Sequence, residues 1–295
     1  MKPALALGAA AVVVSGAAYA QAAAVPAPAD AVAAERIKPF QYLYGSGEGA
    51  AISIQAWHAL LDFARRQVRH RPKDSVVLAK DATLDRARFI PCRRKPFAAV
   101  FDVDETAILN LGIEEHAAAG DGTPIAMVRR WGASGSSAVA PVPGAVTAIA
   151  GLRKLGVTVI FNTNRGAAGA EGTARQIAAA GLGRAVHGRT LFLSGDDAMG
   201  PRKDGRRWTI AAKYCVIAMA GDQLVDFSDL FQAKDLSVAQ RRQAAASGWA
   251  AQLWGNGWFV LPNPVYGSSL KGDIDDIFPV AKRWKDVETS AKAGQ

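Results

Sequence analysis

The sequence predicts an α/β protein, a parallel sheet flanked by helices, and three observations carry that prediction. Short, continuously apolar runs recur at PFAAVFDV (96 to 103), VTVIFNT (157 to 163), RTLFLSG (189 to 195) and CVIAMAGD (215 to 222). Segments with helical spacing lie between them, and strand–helix–strand alternation favours parallel strands joined by right-handed crossovers. Reactive side chains gather where the apolar runs end: Asp102 and Asp104, Thr163 and Asn164, then Asp222. In open parallel sheets ligands bind at the carboxyl ends of the strands.

Taken in chain order, residues 1–20 read as a secretory signal. Lys2 is followed by an apolar stretch from Ala4 to Val14 and by small residues ending Ala18-Tyr19-Ala20. Cleavage near Ala20/Gln21 would release a periplasmic or extracellular protein. The apolar run is too short for a membrane anchor. The Ala/Pro-rich stretch 21–36 lacks periodicity and reads as a flexible lead-in. An N-terminal helical segment, 37–95, follows. Within it Ile52, Ile54, Trp57, Leu60, Leu61, Ala64 and Val68 define an amphipathic helix, and GSGEGA (45 to 50) is a turn leading into it. Its glycines are spaced G-x-G-x-G with no strand before them, which does not fit a dinucleotide fingerprint. The core is expected over 96–275, and 276–295 form a tail.

The net charge of +9 is spread over short clusters such as RRQVRHR, RRK and RKDGRR. Such a field attracts small anions. Nucleic-acid polymers are not indicated, because no recognition motif is present and the clusters are not interleaved with aromatics. Four histidines and two cysteines without ligand spacing argue against zinc. His187, in AVHGRT, lacks the arginine before it that a histidine phosphatase would need. Ala98 stands where a C-x₅-R loop starting at Cys92 requires arginine.

FDVDET (101 to 106) carries the strongest chemical signal. Residues two apart on an extended segment point the same way, so Asp102 and Asp104 can face one pocket. Two close carboxylates repel unless a cation or a proton intervenes. Magnesium, which prefers carboxylate oxygens and retained water, satisfies that need, with Asp222 completing the oxygen shell.

With these motifs in order, the chain resembles the haloacid dehalogenase (HAD) superfamily, subfamily IIIB, and within it the class C, lipoprotein-type bacterial acid phosphatases. The resemblance runs through QYLYGSGEGA, QAWHALLDF, FDVDETAILN, PVPGA, FNTNR, KDGRR, GDQLVDF and WFVLPNPVYGS. It implies a HAD-like Rossmannoid sheet with a smaller helical cap inserted at about 107–142. It also implies a Mg2+-dependent phosphomonoesterase, nucleoside 5′-monophosphates being one candidate substrate class. Asp102 would be the nucleophile and Asp104 the general acid and base. Asp102, the main-chain carbonyl of Asp104 and Asp222 would hold the metal, with Asp226 in or beside that shell. Thr163, Asn164 and Arg165 would bind phosphate. Lys203 would screen the nucleophile; the physics alone requires only a cation there, and Arg202, Arg206 and Arg207 stand close by. Trp131, Tyr266 and Trp258 could stack on a leaving group. Gln223 replaces a common Asn and is expected to alter a hydrogen bond around the metal. The expected partner is a small phosphomonoester, with no stable membrane anchor and homodimerisation left open. A phosphonatase, a dehalogenase or a non-catalytic phosphate binder on the same scaffold are the alternatives. The resemblance also sets the strands that follow Cys92 and begin at Cys215 side by side, so the two cysteines either form a disulfide or remain buried thiols.

Overall fold

A computed structural model describes residues 29–120 and 122–284. The signal and the first part of the lead-in lie outside the described residues. The lead-in, expected to stay irregular to residue 36, is helical from its ninth residue: α1 spans Ala29–Phe40. Alanine is the strongest helix former, and aperiodic apolar spacing does not cancel that preference.

A π-helical turn, Gln41–Gly45, leads to α2 (Gly47–Arg69). Ser46 caps α2, its Oγ accepting from Gly49 N at 2.9 Å. The segment 37–95 is not wholly helical. It also holds β1 (Asp74–Leu78) and β2 (Phe89–Pro91), an antiparallel pair. Those runs are too short, and the loop between them too long, to signal a hairpin.

The chain continues through β3 (Phe97–Phe101) and β4 (Ile108–Leu109) to α3 (Leu111–Ala119), α4 (Ile125–Ser134) and β5 (Ala140–Pro141). Strands β4 and β5 pair antiparallel and close the base of this two-helix insert. Arg36 of α1 reaches its far end, donating to the carbonyls of Ala118 and Ala119 at 3.1 and 3.0 Å. Next come α5 (Ala145–Lys154), β6 (Thr158–Gly166), α6 (Ala170–Ala179), β7 (Leu191–Ser194), α7 (Asp204–Lys213) and β8 (Cys215–Gly221). The last are α8 (Val238–Ala246), α9 (Gly248–Ala251), β9 (Trp258–Val260) and the exposed α10 (Ile274–Ile277).

Strands β7-β6-β3-β8-β9 form one parallel sheet in that order. Chain order reverses on either side of β3, so the crevice at the carboxyl ends of β3 and β8 is the topological switch point. The sheet separates two apolar layers. Ala99 and Phe101 of β3 face α2 and α5, where Trp57, Leu60, Ile149 and Leu152 are buried. Ala98 and Val100 face the other way, toward Val77, Ile210 and Trp258. This is the period-two alternation of a strand buried on both sides.

Cys92 and Cys215 form a disulfide across 123 residues, with Cα atoms 4.5 Å apart. Cys215 opens β8 directly beside Phe97 of β3, so the bridge closes the end of the sheet opposite the switch point.

Candidate active site

Asp102 follows β3, and its N–H donates to Ala220 O of β8 at 3.0 Å, so sheet pairing fixes the first carboxylate. The chain then turns tightly: Ala107 N and Ile108 N both donate to Val103 O. Glu105 sits in this turn at φ 49°, a conformation that costs a non-glycine residue energy unless its surroundings hold it. They do. Its buried carboxylate accepts from Tyr44 Oη at 3.0 Å, from Asn110 N at 3.1 Å, from Asn110 Nδ2 at 3.0 Å and from the Tyr266 hydroxyl.

Asp222 ends β8 and Asp226 lies one turn further on. One carboxylate oxygen from each of Asp102, Asp222 and Asp226 falls within 4.8 Å of the others. Gly221 makes the close approach feasible, since a Cβ there would stand 2.2 Å from that of Asp226. Asp222 is held by Thr106 Oγ1 at 3.0 Å, Asn263 Nδ2 at 2.8 Å and Gln223 Nε2 at 3.0 Å.

Lys203 is the cation at this cluster. It caps α7 rather than lying in an exposed basic loop, and only 3% of it is exposed. Its Nζ lies 2.6 Å from both Asp102 Oδ1 and Asp226 Oδ1. The neighbouring arginines serve other ends. Arg206 binds the carbonyls of Thr163 and Arg202 and the Asn164 amide oxygen. Arg207 is fully buried, paired with Asp204 and donating to the carbonyls of Val225 and Asp226 at 3.0 and 2.8 Å. Asp229 completes the support by accepting from Lys203 N at 3.0 Å and Asp204 N at 2.9 Å.

The Asp104 side chain does not join the acidic cluster. Arg165 takes it, with Nη2 2.7 Å from Oδ1, and Asn110 Nδ2 donates to the same oxygen at 2.7 Å. Any contact of Asp104 with a metal in this arrangement falls to its main chain. Thr163 lies within β6, which runs three residues past it to Gly166 rather than ending there, and places Oγ1 3.5 Å from Asp104 Oδ2. Asn164 is exposed beside it.

The three aromatics divide. Trp258 is no ligand platform: it is fully buried among Phe227, Phe231, Trp249 and Trp254. Trp131 of α4 turns its indole N–H to Asn110 Oδ1 at 3.3 Å. Tyr266 and Trp131 thus reach the site edge with their polar ends engaged by Glu105 and Asn110. Glu105, Asn110 and Tyr44 had no sequence signal of a role, because none stands at a strand end as part of a spaced pair.

Burial pushes the Asp102 carboxyl up against the pull of Lys203, and Asp226, Asp222 and Asp104 add to the push. Burial, then Asp226, raises Asp222 to about 7. Asp104 goes the other way: burial disfavours its charge, but the Arg165 guanidinium and its hydrogen bonds outweigh that and hold the carboxyl below the usual range. Burial likewise disfavours a charged Lys203, and Asp102 and Asp226 overcome it. Three acidic groups face one ammonium, and only a further cation lets all three ionise together. All of the cluster's acidic donors are hard oxygens, the donor set of a hard divalent cation.

A parallel sheet with this acidic centre at its switch point defines an α/β enzyme class whose acidic group could hold a divalent cation. The particular family follows from comparison. The sequence model described as HAD superfamily, subfamily IIIB (Acid phosphatase) matches residues 54–269, and the chain belongs to that family. It is a phosphomonoester hydrolase. Among solved structures, the class C acid phosphatase from Bacillus anthracis is similar, with 18% identity and a TM-score of 0.64 over 86% of this chain and 98% of that one. The same enzyme with tungstate bound matches equally, at 18% identity, TM-score 0.64 and the same 86% and 98% coverage. A search of curated proteins finds no match. The fold class and the family expected from the motifs are therefore those observed.

Proposed function

We propose that this chain is a magnesium-dependent acid phosphatase that hydrolyses small phosphomonoesters through an aspartyl-phosphate on Asp102, after export from the cytoplasm. The observation that carries the reading is the convergence of Asp102, Asp222 and Asp226 at the switch point, with Lys203 Nζ set between Asp102 and Asp226. Among the described residues no helix is long and apolar enough to cross a membrane.

Asp102, Asp222, Asp226 and the main chain at Asp104 would hold the cation, which when bound neutralises charge on the phosphoryl oxygens. An Asp102 oxygen attacks phosphorus, and the phosphorus–oxygen bond to the alcohol breaks. Asp104, when protonated, gives its proton to the leaving oxygen and then takes one from the water that attacks the phosphoenzyme. Lys203 lets the anionic nucleophile approach an anionic ester, and the Thr163 hydroxyl donates to a phosphoryl oxygen. Arg165 lowers the proton affinity of Asp104, so its acid form is populated only at low pH, which ties the proton-donating step to acidic conditions. The uncatalysed reaction is slow enough to demand up to ~10²¹-fold acceleration, and a general acid supplies only about 10² to 10⁴ of it. Nucleophile, cations and positioning supply the rest.

Asp102→Asn should abolish hydrolysis of a chromogenic phosphate ester while leaving the circular dichroism spectrum unchanged. Full activity in that variant would refute the assignment. A dehalogenase or phosphonatase is less well supported, since neither needs an acid held at Asp104. A silent phosphate binder is tested by the same assay with and without magnesium.

A further inference from the structure

A cavity opens beside the acidic cluster, and the proposed reaction does not use it. It encloses about 360 Å³ between the loop after β8, the start of α8, the edge strand β9 and residues 268–271. That volume suits a small ligand. Arg241, Arg242 and Lys271 line it, with Ser268 and Ser269 between them and Leu224, Leu236 and Val260 as apolar walls. The single carboxylate in the lining is Asp222.

The cations have no acidic partner among the described residues. Arg241 is half-buried, and its guanidinium reaches only neutral acceptors: Phe231 O at 3.0 Å, Ser268 O at 3.4 Å and Ser268 Oγ at 2.8 Å. Burial accordingly depresses its proton affinity. Asp235 nearby is taken by Arg202 and Lys234, and Asp273 caps α10. A partly desolvated guanidinium with neutral acceptors alone is costly, and a neighbouring anion relieves the cost. Hydroxyls and an Arg–Lys pair around an open volume are the groups that bind oxyanions.

The wall shared with the cluster is Gln223, the amide that departs from the family's usual Asn. Its Oε1 accepts from Ser268 N and Oγ at 3.0 and 3.2 Å, and its Nε2 donates to Asp222 Oδ2. Gly267, at φ 108°, lets the loop pass so close that a Cβ would stand 2.5 Å from the Gln223 amide. The extra methylene of glutamine therefore spans the gap between the metal cluster and the loop that carries Ser268.

We propose that this cavity is an oxyanion site, built by Arg241, Arg242, Lys271 and Ser269, that takes a phosphate-class anion separately from the group hydrolysed at Asp102. The anion is either a free oxyanion or a second anionic group on the substrate. The decisive measurement is calorimetric titration of the magnesium-loaded full chain with inorganic phosphate. The native protein should bind two equivalents, Lys203→Ala one, and R242A/K271A one. A single equivalent that R242A/K271A retains overturns the proposal, as does a second equivalent that R242A/K271A retains, which would be adventitious binding only; a single equivalent that R242A/K271A abolishes supports the cavity and counts against the site at Asp102 instead. Turnover is not part of this readout, so loss of the phosphatase reading would leave the result standing. The two sources separate in kinetics. If the second group belongs to substrate, a bisphosphate ester has a KM severalfold below that of the monophosphate of the same alcohol, and R242A/K271A removes the difference. Equal KM values with two equivalents bound assign the site to a free anion.

Discussion

Arg165 closes on Asp104 with both Nε and Nη2, at 3.0 and 2.7 Å from Oδ1, while Gln176 Oε1 and Asn110 Oδ1 take its remaining donors. The guanidinium thus ties the proposed proton donor to α6 and to the root of the cap. Replacing Arg165 with Met removes the charge that holds Asp104 ionised, so its carboxyl rises. The limb of the kcat/KM profile on which activity falls with rising pH should then shift to higher pH. A pH–rate series on the variant checks this; an unmoved limb would detach Arg165 from the acid step.

Metal affinity should depend on pH through Asp222. In the metal-free protein burial raises this carboxyl to about 7, and only its ionised form ligates. Below that pH a bound cation must displace a proton, so affinity falls as pH drops from 7 toward 5. Above it the dependence on Asp222 flattens. The sign for stability is the same linkage: the raised group favours the fold while protonated, and that contribution is lost as pH rises through about 7 without metal. Calorimetric magnesium titrations in buffers of different ionisation enthalpy measure the released proton.

Arg207 is a stability residue rather than a substrate contact. Arg207→Met leaves Asp204 and Asp229 as uncompensated buried carboxylates and frees the carbonyls of Val225 and Asp226. Breaking a buried pair on one side costs about 3–5 kcal/mol. Urea unfolding should show a loss of that order. Part of it should return in Arg207→Met/Asp204→Asn, where one of the two stranded charges is gone.

The Cys92–Cys215 bridge should make the denatured, unreduced protein silent to thiol reagents. Closing a loop of this length stabilises by about 4–5 kcal/mol on the chain-entropy model. The double Cys→Ala variant should unfold at correspondingly lower urea, and two reactive thiols in the native chain would contradict the bond.

These effects were unevenly legible. The four apolar runs were legible as strands because a strand buried on both faces is a composition signal, and Asp102 and Asp222 stand directly after two of them. Strand β9 escaped because Trp258–Val260 has three residues and draws its stability from Met219 to Gly221 alongside. Lys203 was separable from Arg206 and Arg207 by resemblance alone. Its selection rests on Asp229 and the cap of α7, contacts between residues distant in sequence. Glu105 was invisible for the same reason: its partners come from three different segments.

Glu105 has a further consequence for how the enzyme comes into being. One tyrosine that donates to it lies 61 residues earlier in the chain and the other 161 residues later. The turn that presents Asp102 and Asp104 is therefore fastened only after the chain has been made as far as Tyr266 and that residue has found its place. A nascent or truncated chain lacking Tyr266 would carry every charged catalytic group without a finished turn to hold them. The turn is thus closed by segments on both sides of it, and an incomplete chain lacks one of its two fastenings.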